Sequence, residues 1–236
     1  THPFARAGTA LHTDRARYHA LAHDVAGLGR RLRLCGMHVH IGIEDRDMAI
    51  DCMNVVRYML PHLLALTTSS PFWSGRVTDL KCYRTILFEE LPRTGLPEEF
   101  NSWAAFDRFV QRLVRTGCIA DGSKIWWDVR PHYAFPTLEF RVPDICTRAE
   151  EAVAVASLEE EAPTKNLVRE LLLLVDEQVE ELGSRQEVEV IYSILENGTS
   201  ADRQLRVFHE HGGAANRDEA LRAVVDHLVR ETCEWI

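Results

Sequence analysis

The chain has 236 residues, a formal charge of −9, 46% hydrophobic and 27% charged residues. That length supports one large domain or two small ones with a substantial core. The negative balance argues against a general nucleic-acid binder, which needs a basic face to replace phosphate counterions. No apolar run approaches the roughly 20 residues that span a bilayer. The N-terminus, Thr1-His2-Pro3-Phe4, has neither a signal-peptide pattern nor an initiator Met, so a processed, cut or incomplete chain is expected. Six cysteines lie far apart without a CxxC, and read as reduced, mostly buried thiols of a cytoplasmic protein.

Residues 13–30 read as an amphipathic helix with Tyr18, Leu21, Val25 and Leu28 on one face. A strand follows at 33–43, then a long apolar helix from Asp47 to Thr67, kinked where Pro61 removes a backbone donor. Ser69 to Pro97 reads as a long loop with short pieces of structure. A helix runs from Trp103 to Thr116, with Phe106, Phe109, Val110, Leu113 and Val114 at helical spacing and Gly117 to end it. Two strands follow, Lys124–Arg130 and Thr137–Val142. Glu159-Glu160-Glu161 reads as a solvated helix start, and from Pro163 onward the chain is helical. Leu167, Leu171, Leu172, Val175 and Val179 form one stripe closed by Gly183, and Ser184 with Glu187 forms a capping box for a helix ending near Asn197-Gly198. Asn216 with Glu219 caps the last helix, whose packing face carries Leu221, Val224, Val225 and Leu228.

Side chains on a strand alternate between faces. In Cys35–Ile43, the residues Cys35, Met37, Val39, Ile41 and Ile43 share an apolar face, and Gly36, His38, His40 and Gly42 share the other. Two imidazoles flanked by glycines describe either an open polar face that a ligand can approach or two ordinary histidines on a half-exposed strand. In Thr137–Asp144, Leu138, Phe140 and Val142 face a core while Thr137, Glu139 and Arg141 face away. Glu139 beside Arg141 is either an intrastrand ion pair or a metal ligand next to a phosphate-binding fork. Upstream, Asp128 and Arg130 share one face, and Trp126 and Trp127 read as packing residues. The loop Ser69–Arg84 offers Arg76, Lys81 and Arg84 either to a phosphate or carboxylate or to the chain's own acidic surplus.

Together, Cys35–Ile43, Ser69–Arg84, Trp127–Asp144 and the late Asp202-Arg203-Gln204-Leu205-Arg206 resemble the carboxylate–amine ligases of glutamate–cysteine ligase family 2, in the family's order. The resemblance implies an α+β fold similar to the glutamine-synthetase catalytic domain. That fold is a curved, mostly antiparallel sheet cradle backed by helices, with a helical C-terminus. It implies a single catalytic domain over residues 1–236, with a sheet-bearing core at 1–158 and a helical part at 159–236.

The implied chemistry is amide formation driven by ATP and Mg²⁺ through an acyl phosphate, with small amino-acid substrates, no membrane and a cytoplasmic homodimer. By the same resemblance Glu139 and His38 hold the metal–nucleotide complex, His40 contacts the nucleotide, and Arg141 stabilises the phosphoryl group. Lys81, Arg84 and Arg130 are implied substrate or phosphate contacts, although Arg130, with Asp144, also reads as strand support. Two family features are missing: an N-terminal strand of clustered glutamates, and a basic aromatic stretch near Leu158-Glu159. That absence keeps a degenerate nucleotide-binding homologue open, and the His-x-His strand keeps a zinc hydrolase open.

Overall fold

A computed structural model describes residues 2–4, 14–15, 19, 34–161, 183 and 185–233. The architecture is α+β, with two small antiparallel sheets and helices packed around them. All but Asp14, Arg15 and His19 of the expected helix over 13–30, the stripe from Leu167 to Val179 and the cap at Ser184 lie outside the described residues.

The larger sheet has three strands, β1 (Val39–Gly42), β4 (Val129–Pro131) and β5 (Thr137–Phe140), in the order β1-β5-β4. Pairing sets His40 opposite Glu139 and Arg130 opposite Glu139. Residues directly opposite in an antiparallel pair project to the same side, so the three strands turn His40, Glu139 and Arg130 one way. The other side carries Val129, Leu138 and Phe140, each fully buried.

Across that apolar side lies α1 (Arg46–Val56), burying Ile50, Met53 and Val56 at one-turn spacing. Asp45 caps α1 by accepting from the amides of Asp47 and Met48. Helix α4 (Trp103–Arg115) completes this wall. Ser102 caps it, Phe106 and Val110 are buried, and Phe109 stacks on Trp127 with ring centroids 5.6 Å apart. Both tryptophans pack as expected: Trp127 is buried, and Trp126 lies under the guanidinium of Arg93.

The expected single helix from Asp47 to Thr67 is two, α1 and α2 (Leu60–Thr67). Pro61 has no N–H to donate and its ring obstructs the carbonyl four residues earlier, so the chain breaks and restarts with Pro61 in the first turn. The region expected as a loop holds the hairpin β2 (Phe72–Trp73) and β3 (Arg76–Val77) and the helix α3 (Tyr83–Glu89). Ser74 and Gly75 make that hairpin's turn at positive φ.

The strand expected at 33–43 is regular only from Val39, with Gly36 bridging to Asp144. Lys124 ends a 3-10 turn (Gly122–Lys124) instead of starting a strand. Glu161 closes helix α5 (Ala149–Glu161), so the acidic run ends a helix and does not begin one. The cysteines are free thiols, but none is buried as expected: Cys35, Cys118 and Cys233 are exposed and Cys52, Cys82 and Cys146 half-buried.

Among the described residues three further helices follow: α6 (Arg185–Asn197), α7 (Ser200–Glu210) and α8 (Arg217–Cys233). Asn216 precedes α8 and its amide donates to the Glu219 carboxylate. Leu221 and Val224 pack with Phe72 and Phe208 in a second small core, where the expected C-terminal stripe meets the β2–β3 hairpin.

The late string around Arg203 ties these helices to the rest of the chain. Arg203 pairs with Glu151 of α5 at 2.8 Å and with Glu231 of α8 at 2.6 Å. Glu231 also accepts from Thr147 and Arg148. Gln204 donates to the carbonyl of Ser69, and Asp202 caps α7 through Thr199 while pairing with Lys81 at 2.6 Å.

Burial alone would push the Glu231 carboxyl up. Hydrogen bonds from Thr147 and Arg203 and the positive charges around it more than offset this and hold its pKa low. Its stabilisation is therefore complete above the unfolded carboxyl pKa of about 4.3 and is lost as pH falls through the lower folded value. Replacing Glu231 by Ala leaves Arg203 and Arg148 short of their shared partner and should cost about 3–5 kcal/mol. Urea unfolding at pH 7 measures that loss, and Glu231→Gln should flatten the fall in stability below about pH 4.

Candidate active site

The polar face of the three-stranded sheet is built around Glu139. Its side chain is 3% exposed, yet both oxygens are partnered. Arg130, one strand over, donates from Nε to Oε2 at 2.8 Å, and Arg141, two residues along, donates from Nη1 to Oε1 at 2.6 Å. From the other neighbour, β1 and its approach, His38 Nδ1 lies 3.1 Å and His40 Nε2 3.9 Å from Oε1. The period-2 patterning read from the sequence thus brings His38, His40, Arg130, Glu139 and Arg141 together on one side of one sheet.

Each group is held by its local structure. Arg130 anchors its Nη1 on the carbonyls of Ser123 and Ile125, in and just after the 3-10 turn. His40 shares a hydrogen bond with Thr137 across the strand pair at 3.1 Å. Arg141 presents Nη1 to Glu139, while its Nε is buried with no hydrogen-bond partner among the described residues. An unpartnered buried N–H costs about 1–3 kcal/mol, so this edge of the guanidinium is suited to receive an anion.

Burial, the largest influence on Glu139, disfavours its charged form. The hydrogen bond from His38 and the charges of Arg130 and Arg141 overcome it and hold the carboxyl far below the usual range. Burial and the neighbouring Arg130 lower the pKa of Arg141, which Glu139 partly restores. Asp128 shifts the opposite way: burial pushes its pKa up, against the attraction of Arg84. One carboxylate between two guanidiniums leaves surplus positive charge on this face, in a chain that is negative overall.

Arg84 and Lys81 do not join this cluster. Arg84 is 4% exposed and lies beneath the strand ends, donating to the carbonyls of Arg141 and Val142. It occupies the space a side chain at Gly36 would need, since a Cβ there would fall 2.5 Å from Arg84 Nη2. Asp144 is likewise structural, accepting from Ser69 N and Ser70 Oγ while fully buried. Arg84 is thus spent on backbone carbonyls, while Lys81, more than half exposed, pairs with Asp202. Sequence patterning had no means of showing this, because the partners lie far away along the chain.

For a divalent cation the donor pair His38 and Glu139 fits in part. Two ligands at right angles on a six-coordinate cation with bonds near 2.1 Å sit about 3 Å apart, and Nδ1 and Oε1 are separated by 3.1 Å. The pair supplies two positions. Among the described residues no group of three or more His, Cys, Asp or Glu is arranged to hold a metal ion, so the zinc-hydrolase alternative finds no ligand set there.

A family model for "Glutamate-cysteine ligase family 2(GCS2)" matches residues 1–161. A relative from Rhodospirillum rubrum, named "Putative glutamate--cysteine ligase 2", is 44% identical over 280 positions, covering 98% of this chain and 72% of its own length. Proteins of the same printed name from Chloroflexus aurantiacus and Solibacter usitatus are 43% and 39% identical, covering 100% and 98% of this chain and 71% of theirs. The Chloroflexus alignment runs over 283 positions while taking in all of this chain, so that relative carries stretches with no counterpart here.

The buried carboxylate–guanidinium face thus belongs to an enzyme that forms carbon–nitrogen bonds, a ligase. The chain is a member of glutamate–cysteine ligase family 2.

A lowered pKa at Glu139 means that its contribution to stability is present above the unfolded carboxyl value and survives well into acid. Carboxyl carbon NMR on glutamate-labelled protein should show the Glu139 resonance unchanged from pH 7 to about pH 4, while unperturbed exposed carboxyls move around the reference value of about 4.3. A Glu139 resonance that moves with the exposed ones would contradict the ion cluster.

Proposed function

We propose that this chain carries the catalytic face of an ATP-dependent carboxylate–amine ligase, on a sheet of the glutamine-synthetase type. Glutamate and cysteine are the substrate pair named by its relatives. The observation that carries this proposal is the buried pairing of Arg130 and Arg141 on Glu139, which sets two guanidiniums on one face and leaves the Nε of Arg141 unsatisfied. That arrangement is built to take an oxyanion whose charge changes during reaction.

In the proposed reaction a substrate carboxylate oxygen attacks the γ-phosphorus of ATP, the bond to the β-phosphate oxygen breaks, and ADP leaves. The amine then attacks the carbonyl of the acyl phosphate, inorganic phosphate departs, and the amine loses a proton as the amide forms. Arg141 and Arg130 hold the transferring phosphoryl oxygens, a task that rests on positioning and charge neutralisation. Glu139 keeps both guanidiniums in place. His38 with Glu139 would also hold a divalent cation, whose chemistry is to neutralise the phosphate charges when bound. His40, braced by Thr137, faces the nucleotide.

Companion proposals rest on the resemblance. They are a homodimer, a cytoplasmic location, one catalytic domain with a sheet-bearing part at 1–158 and a helical part at 159–236, and further metal-binding carboxylates from a segment like the family's acidic strand. No helix among the described residues is long and apolar enough to cross a membrane.

ADP release should appear when the chain is supplied with ATP, magnesium, glutamate and cysteine, and γ-glutamyl amide should accumulate in equal amount. Arg141→Ala should lower turnover at least about 100-fold, as removal of one preorganised charge-stabilising donor does. Arg141→Lys should recover little, because a point charge cannot reproduce the fork. Full turnover in Arg141→Ala would remove the proposed role. ATP binding without ADP release across all amino-acid pairs would leave only a nucleotide-binding homologue.

A further inference from the structure

At the end of the sheet where β4 begins, the pairing of Val129 with Phe140 makes Asp128 and Arg141 the next residues across from each other. Neighbouring strands lie about 5 Å apart, so Asp128 flanks the guanidinium assigned to the transferring phosphoryl group. Its backbone is fixed three times. The N–H donates to the carbonyl of Gly95 at 2.9 Å, and the carbonyl accepts from the amides of Arg141 and Val142 at 2.7 and 3.1 Å. Its side chain, by contrast, is half-buried and receives no hydrogen bond among the described residues. Strand alternation turns that side chain to the polar face, as it does Arg130 two residues on.

Helix α3 closes this end of the face. The guanidiniums of Arg84 and Arg141 lie 5.6 and 6.0 Å from the ring of Phe88, and the next residue, Glu89, is exposed. The charges that act on Asp128 are therefore Arg84 and Glu89 from α3 and Arg141 from β5. Burial, with the negative charge of Glu89 added to it, outweighs the two guanidiniums and pushes the carboxyl pKa up. A carboxylate shifted upward is a better proton acceptor at neutral pH than an ordinary one.

Amide formation needs such an acceptor. An α-amino group titrates near about 8, so it arrives mostly as an ammonium at neutral pH, and its nitrogen has no lone pair until a proton is removed. The other groups on this face are unsuited to the task. Guanidiniums have no acceptor atom. Glu139 has both oxygens occupied by hydrogen bonds. His38 is turned to Glu139, and His40 lies at the far end of β5 beside Thr137.

We propose that Asp128 receives the ammonium of the amine substrate and takes its first proton, so that the free amine forms beside the acyl phosphate held by Arg141. The assignment rests on the ligase proposal and names the residue that serves its second half-reaction. One N–H bond of the ammonium breaks and its proton passes to a carboxylate oxygen of Asp128. The nitrogen lone pair then attacks the acyl carbon, the carbon–oxygen bond to phosphate breaks, and the departing phosphate carries off the second proton. Solvent afterwards takes the proton from Asp128. Glu89 adds a second negative charge at the entrance and so favours a cationic amine over a neutral one.

The test compares two nucleophiles. Cysteine brings an ammonium, whereas hydroxylamine is largely uncharged at neutral pH and traps an acyl phosphate as a hydroxamate without a base. With ATP, magnesium and glutamate, Asp128→Asn should lower turnover with cysteine about 100- to 10,000-fold and leave hydroxamate formation within a few-fold of the wild type. The substitution keeps the size of the side chain and breaks no hydrogen bond among the described residues, so its melting temperature should match the wild type. Equal losses with both nucleophiles, or no loss with cysteine, would overturn the assignment.

Glu89→Gln supplies a second arm on an exposed residue. Removing that charge should lower the pKa of Asp128 and move the acid limb of kcat/KM for cysteine to lower pH. An acid limb that stays in place would also overturn the assignment. A wild-type chain that gives neither ADP nor hydroxamate fails the ligase proposal itself, an outcome distinct from either of these.

Discussion

A carboxylate taken out of water must find compensation, and around Glu139 that requirement orders the whole polar face. The charge is retained because two guanidiniums and an imidazole meet it within 3.1 Å, each from a different place in the chain. Arg130 reaches it only if β4 pairs with β5 in the observed register, and His38 only if β1 flanks the other side. A shift of one residue in either pairing would send the polar groups into the apolar layer and bring Leu138 or Phe140 out of it. The fully buried Val129, Leu138 and Phe140 hold the register from below, while the ions hold it from above. Both faces of the sheet enforce one alignment, so few strands suffice to fix five polar side chains.

The same logic explains the cations that turned inward. Arg84 fills the space over Gly36 and joins α3 to the carbonyls following Glu139. Moving it toward a substrate would open a void and leave the carbonyls of Arg141 and Val142 without their donors. Arg203 plays the corresponding part for the C-terminal helices, linking α5, α7 and α8 through two buried carboxylates. Buried charges of this kind are costly to leave half-satisfied, and they set helix positions in a way that apolar packing alone does not. The recognisable strings of the sequence are therefore of two kinds. Those at His38–His40 and Glu139–Arg141 build the polar face of the sheet, and those at Lys81–Arg84 and Asp202–Gln204 build the frame around it.

What could be read in the sequence follows the range of the interactions concerned. Strand alternation is local, and it correctly put His38 with His40 and Glu139 with Arg141 on polar faces. Helical spacing correctly placed Phe106 and Val110 of α4 toward the core. The break before Pro61 was foreseen as a kink, but whether the helix bends or stops depends on tertiary packing that spacing does not carry. The hairpin Phe72–Val77 was hidden because its strands are two residues long and its apolar partners, Phe208 and Leu221, come more than 130 residues later. The fate of Lys81 and Arg84 was illegible for the same reason. A basic side chain looks alike in sequence whether it meets a ligand, a remote carboxylate or a carbonyl.

The charge balance of the site carries the argument furthest. If Glu139 were only a surface partner for Arg141, the pair would be worth about 1 kcal/mol or less and there would be no reason to enclose it. Enclosed, with Arg130 added, it holds two cations rigidly beside one anion and leaves an N–H edge of Arg141 without a partner. Such a surplus of positive charge suits the approach of an anion.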